Sequence, residues 1–147
     1  MTMQARTVAS MTATALTDEE VLTRLGVGSV LLLGAGHEAQ VYAMSDRRVA
    51  RIMRPGSSLA DAEARAALLR EIAVSAATLI FHIPVVLSVE LVGDRIVVIE
   101  RFIPGEPVSA LLKHLSGPAR ETLVADYLDM ATNIQQLRVT RPYFGPL

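Results

Sequence analysis

The sequence predicts an α+β fold: a five-stranded antiparallel sheet and one long helix, followed by further helices. Three observations lead there. Short apolar, β-prone runs recur around turn residues in the spacing of hairpins. Between the third and fourth runs lies an alanine-rich stretch with no Gly or Pro, which predicts a long helix. After a Pro-Gly connector the pattern becomes helical to the end of Leu137.

Each element has its own local reason. Thr17 with Glu20 three residues later forms a capping box, so a short helix starts there and runs to about Leu25, where Gly26 suits its end. Ser29–Leu33, Glu38–Met44 and Val49–Met53 read as three strands joined by a glycine turn and by "SDRR", an antiparallel meander. Ser58 is placed to cap the long helix, Leu59–Leu79, which contains eight alanines. Leu69, Ile72, Ala73, Ala76 and Ile80 form one stripe on it, but Leu68, Val74 and Leu79 lie elsewhere, which predicts cover on more than one side. Val85–Val92 and Arg95–Phe102 flank Gly93-Asp94 as a second hairpin. Pro107–Leu115 and Pro118–Leu137 are helices separated by Ser116-Gly117. The domain reading is a flexible tail over 1–16, a lobe over 17–103, and a connector with the first helices of another unit over 104–147.

Composition narrows the function classes. The 147 residues are 51% hydrophobic with a formal charge of −1, enough for a core. That charge gives no electrostatic reason to expect nucleic acid or an anionic membrane as partner. There is no cysteine, which excludes disulfides and thiolate metal sites. No apolar run approaches a bilayer span, the first residues do not read as a signal peptide, and the default location is cytoplasmic. Of 14 basic residues only Lys113 is a lysine, so a phosphate contact in the first hundred positions must use arginine or backbone N–H groups.

Four segments could carry chemistry. "GAGHEA" sits between strands; it is either a plain hairpin turn or a loop whose small residues let a phosphate approach backbone N–H groups. The Rossmann and Walker A patterns do not fit, because a strand follows and no Gly-Lys-Ser/Thr occurs. Arg51, in the apolar strand "VARI", either points to water from an edge or points inward toward phosphate and a carboxylate. Glu63 and Glu71 on the long helix are either solvated or one of them is that carboxylate. "IVVIERFIPGEP" is either the end of a domain or a stiff hinge whose free backbone groups meet a base edge.

The order of these pieces resembles the N-terminal lobe of the protein-kinase-like fold, and within it the aminoglycoside phosphotransferase family. The resemblance runs from about Leu16 to Leu137 and rests on "GAGHEAQVY", "VARIMR", "LLREIAV" followed by "IPVVLSV", and "IERFIPGEP". It implies that Gly34, Ala35, Gly36, His37, Glu38 and Ala39 cover the triphosphate of ATP or GTP. It implies that Val41 and Ala50 pack above the base and that Arg51 grips phosphate with Glu71 as ion-pair partner, Glu63 being the fallback. Ile99 would line the back of the pocket, and the Glu100 carbonyl and Phe102 N–H would meet the base edge. The chain departs from the pattern at Ala39, where a protein kinase has a third glycine, and at Arg51, where it has lysine.

A further departure is chemical. The family's His-Gly-Asp-x-x-x-x-Asn loop and later Asp motif, which supply the base and the Mg²⁺ ligands, do not occur in these residues. His37, His82 and His114 are followed by Glu, Ile and Leu, and Asp126 and Asp129 fall on a helical pattern. The expectation is the nucleotide-binding lobe of a longer small-molecule phosphotransferase, with Mg²⁺ ligands and the hydroxyl acceptor's site in a missing second lobe, and no transfer by this chain alone. The acceptor could be an antibiotic, a choline-like alcohol, a sugar or an amino-acid hydroxyl. The rival class is a catalytically silent module that binds nucleotide or a protein partner. A protein-kinase lobe is disfavoured by the "FIPGEP" hinge. Apolar positions from Leu111 to Leu137 predict self-association through the last helices.

Overall fold

The computed structural model describes residues 15–28, 30–74, 79–137 and 139–140. Residues 1–14 of the tail expected over 1–16, Ala76 of the helix stripe and the final "RPYFGPL" lie outside them. Leu16, assigned to the tail by sequence, is held: its N–H donates to Asp94 Oδ1 and its carbonyl accepts from Arg95 Nη1.

Helix α1 (Asp18–Arg24) has the expected capping box, with Thr17 and Glu20 bonded reciprocally. The sheet follows as β1 (Leu32–Ala35), β2 (Ala39–Ala43), β3 (Arg48–Met53), then β4 (Val86–Val92) and β5 (Arg95–Arg101) after helix α2 (Leu59–Val74). Its order is β1-β2-β3-β5-β4, antiparallel throughout. The crossover arises because α2 carries the chain past β3, leaving room for β5 between them. Helices α3 (Val108–His114) and α4 (Gly117–Gln135) follow β5, and neither buries a residue among those described.

Both faces of the sheet are covered. Strand β5 is consequently apolar without alternation, Ile96, Val97, Val98 and Ile99 all being buried. Even and odd positions serve different cores. Val97 and Ile99 join Ala50 and Ile52 under Val21 and Leu22 of α1. Ile96 and Val98 join Val86 under Ala62 and Ala66 of α2. The expected stripe is corrected in part: Leu69 packs against the sheet with Ala62 and Ala66, while Ile80 is exposed. Val74, placed off the stripe where cover on a second side was expected, is exposed as well. Alanine lets the helix axis approach the sheet, so the smallest side chains are the most buried.

A polar clasp fixes α1 to the back of the sheet. Arg95 is 5% exposed. Its guanidinium donates to the Met53 carbonyl and to Asp18 Oδ1, at 2.8 and 2.7 Å from Nη2. Asp18 also accepts from the Tyr42 hydroxyl. Burial and this bond to Asp18 raise the Tyr42 pKa. Gly93 has φ +65°, so the turn favours glycine, and a Cβ there would stand 2.5 Å from Leu16 Cδ1 and oblige that side chain to shift.

Candidate functional site

The glycine turn joins β1 to β2. Gly36 N–H donates to the Ala39 carbonyl at 2.8 Å, so that amide is committed within the turn. Among the described residues a Cβ on Gly34 would meet nothing within 4 Å, and neither Gly34 nor Gly36 has a positive φ. The fold itself therefore does not demand these two glycines; what they leave is open space beside the backbone.

Arginines gather on this turn. Arg54 donates from Nη2 to the Gly36 carbonyl at 3.2 Å, and its N–H donates to the Glu38 carbonyl at 2.9 Å. Arg65 of α2 stands 3.6 Å from Glu38 Oε2, an exposed and weak pair. Arg51 lies opposite Val41 in the β2–β3 register, on the face that α2 covers. Arg51, Arg65 and Glu100 share one small recess between α2 and the sheet.

Arg51 points inward, and its partner is Glu100. Nε and Nη2 bond Oε1 and Oε2, each at 3.2 Å, in a fork-to-fork pair. The register explains it: Arg51 opposes Val98, so Glu100 is its diagonal neighbour on the same face. The expected Arg51–Glu71 pair is thus corrected. Glu71 Oε1 accepts instead from the N–H and Oγ1 of Thr140, and Glu63 is exposed on α2.

Strand period two corrects two further expectations. Ala50 and Arg51 are consecutive, so they cannot face the same side. Ala50 lies opposite Ile99 on the α1 side, and both are part of that core. Neither can stand beside Arg51 over a base. Val49 and Val98, which the sequence reading passed over, occupy Arg51's face. The hinge expectation changes as well: Phe102 N–H donates to the Arg47 carbonyl at 2.8 Å. By alternation the Glu100 amide and carbonyl face Val49 in the ladder, so these groups are not free for a base edge. Arg54 and Arg65 were also passed over. Arg65 was accessible from spacing, lying three residues after Ala62 and four before Leu69 on the helix face that meets the sheet.

Among the described residues no three His, Asp or Glu side chains gather as a metal site, and no helix is long and apolar enough to cross a membrane. The Glu100 carboxylate is engaged by Arg51, so these residues do not fit a Mg²⁺ ion.

No protein-family model and no curated protein matches the sequence. Solved structures do share the fold. A streptomycin–ATP ternary complex of APH(2'')-IIa matches with TM-score 0.58 and 18% identity over 86% of this chain and 42% of that one. The gentamicin complex of the same protein matches with TM-score 0.60 and 17% identity, over 87% and 42%. ADP-bound aminoglycoside phosphotransferase APH(2'')-Ib matches with TM-score 0.58 and 18% identity, over 84% and 41%. This chain therefore has the kinase-like fold of aminoglycoside phosphotransferases and spans less than half the length of those structures.

Proposed function

We propose that this lobe binds the polyphosphate of ATP or GTP for a phosphotransferase acting on a hydroxyl of a small molecule. The observation that carries the reading is the contact of Arg54 and Arg65 with the glycine turn, with Arg51 in the recess that Arg65 shares and open space at Gly34. The shared fold with ATP-, ADP- and GDP-bound proteins supports it. Arg51 is oriented by Glu100, Arg54 is already bonded to the turn, and the turn's uncommitted amides complete an anion-binding set. Val41 and Val49, on the same face, suit the base better than Ala50 and Ile99 do. Mg²⁺, when bound, would shield phosphate charge, and its ligands would come from elsewhere in a longer protein. Transfer by these residues alone is not expected, since they include no His-Gly-Asp loop.

Titration of the chain with a fluorescent ATP analogue tests the reading. Saturable binding should be displaced by ATP or GTP and weakened at least about tenfold by Arg54→Gln, the loss of one charge-assisted contact. A folded chain that binds neither nucleotide at millimolar concentration would refute it, and steady ATP turnover would refute the inactivity. A cytoplasmic location belongs to the same proposal. So does self-association through α4, which exposes Val124, Tyr127, Leu128 and Ile134; sedimentation as a clean monomer at tens of micromolar would argue against it.

A further inference from the structure

The end of the sheet beside the α3 connector breaks two local rules at once. In the β3–β5 register Arg48 stands directly opposite Arg101, and directly opposed like charges destabilise a strand pair. Alternation places both on the α1 side of the sheet, away from Arg51. In the adjoining turn Asp46 and Arg47 hold φ of +59° and +56°. Two successive non-glycine residues in left-handed backbone store strain, and such strain gathers at functional sites.

These residues line one hollow of about 720 Å³ with His82, Ile83 and Phe102, a size suited to a small molecule. The one acid among its described lining residues is Asp46, 3.7 Å from Arg48 Nη2 and itself 81% exposed at the side chain. Among the described residues Arg47 and Arg101 have no ion-pair partner. Arg48 Nε is shut off from solvent with no hydrogen-bond acceptor among the described residues. Three arginines against one aspartate leave a formal surplus of two positive charges, in a chain whose net charge is −1.

We propose that this hollow is a second ligand site, for a small-molecule phosphate monoester. A dianion matches the surplus charge, and guanidinium forks suit phosphate oxygens. Ile83 and Phe102 offer an apolar wall for the organic part. A monocarboxylate would leave one arginine unanswered. Because the Arg47 carbonyl holds the Phe102 N–H, an occupant would rest against the turn that anchors the connector to α3.

Phenyl phosphate is the probe, with benzoate and phenol as controls, followed on the full chain by calorimetric titration and thermal unfolding. Phenyl phosphate should bind saturably, raise Tm and weaken with added salt, while benzoate and phenol should bind at least tenfold more weakly. Arg101→Gln should raise the Tm of the ligand-free chain by relieving the opposed charges, yet weaken phenyl phosphate at least tenfold. Arg47→Gly, which relieves the turn, should also bind more weakly while staying folded. Saturating ATP should leave phenyl phosphate binding intact, which separates this site from the glycine turn. Absence of binding, equal binding of benzoate, displacement by ATP, or unchanged binding by Arg101→Gln would each overturn the proposal.

Discussion

Replacing Glu100 by glutamine keeps the side-chain shape and removes only its charge. The Glu100 side chain is 6% exposed and that of Arg51 28% exposed, with Nη2 and Oε2 3.2 Å apart. At that separation and an effective dielectric of about 20 the pair attracts by about 5 kcal/mol. Desolvation of both ions offsets much of this, but the glutamate's removal leaves Arg51 without compensation in a half-buried position. Breaking a buried pair costs about 3–5 kcal/mol. Because Arg51 keeps some contact with water, the expected loss for Glu100→Gln is about 2–3 kcal/mol. Arg51→Met strands the more buried carboxylate and should cost about 3–4 kcal/mol. The double variant Arg51→Met with Glu100→Leu should recover most of either loss, since no ion is left buried. Urea unfolding with a shared m-value measures all three, and the double-mutant cycle isolates the coupling. A coupling below about 0.5 kcal/mol, within the additivity of independent sites, would refute the claim that these two residues form one unit.

Other perturbations address other links in the fold. Arg47→Gly should stabilise the chain by about 1 kcal/mol, seen as a higher urea midpoint at unchanged m, because glycine tolerates the φ of +56°. Gly93→Ala should destabilise by about 1–3 kcal/mol through the positive φ and the Leu16 clash; pairing it with Leu16→Ala should relieve part of the loss. The Glu20 pKa is lowered, chiefly by the hydrogen bond from the Thr17 N–H and then by the Thr17 hydroxyl. A carboxylate whose native pKa lies below its unfolded value adds stability above the unfolded pKa and loses it as pH falls through the native one. Glu20→Gln, which removes the titrating group, should flatten that acidic limb of the stability curve, and Thr17→Ala, which keeps the N–H bond and loses only the hydroxyl's, should flatten it in part; an unchanged slope in Glu20→Gln would contradict the capping assignment.

Much of the fold was legible in the sequence because its signals are local. The Thr17–Glu20 capping box, Gly26 beyond α1, Ser58 before α2 and the Gly93 turn are each fixed by residues within a few positions of one another. Five strands and their antiparallel sense follow from short turns. The helix content of 108–135 was equally plain, since Pro107, Ser116-Gly117 and Pro118 punctuate it. That Arg51 needs a carboxylate was also readable, because a charge inside an apolar strand must be answered.

Which carboxylate answers it was decided only by tertiary structure. Glu71 and Glu100 are both glutamates at a distance along the chain, and nothing local separates them. The pairing depends on β5 lying beside β3 in a register that sets Arg51 against Val98 and Glu100 on the diagonal. A shift of one residue would have turned Glu100 to the other face. The same register sent Ala50 and Ile99 beneath α1, committed the Phe102 amide to Arg47, and opposed Arg48 to Arg101. Local propensity fixes an element's type and ends; which faces meet, and therefore which charges answer one another, is set by strand order and register, which depend on every element packing at once.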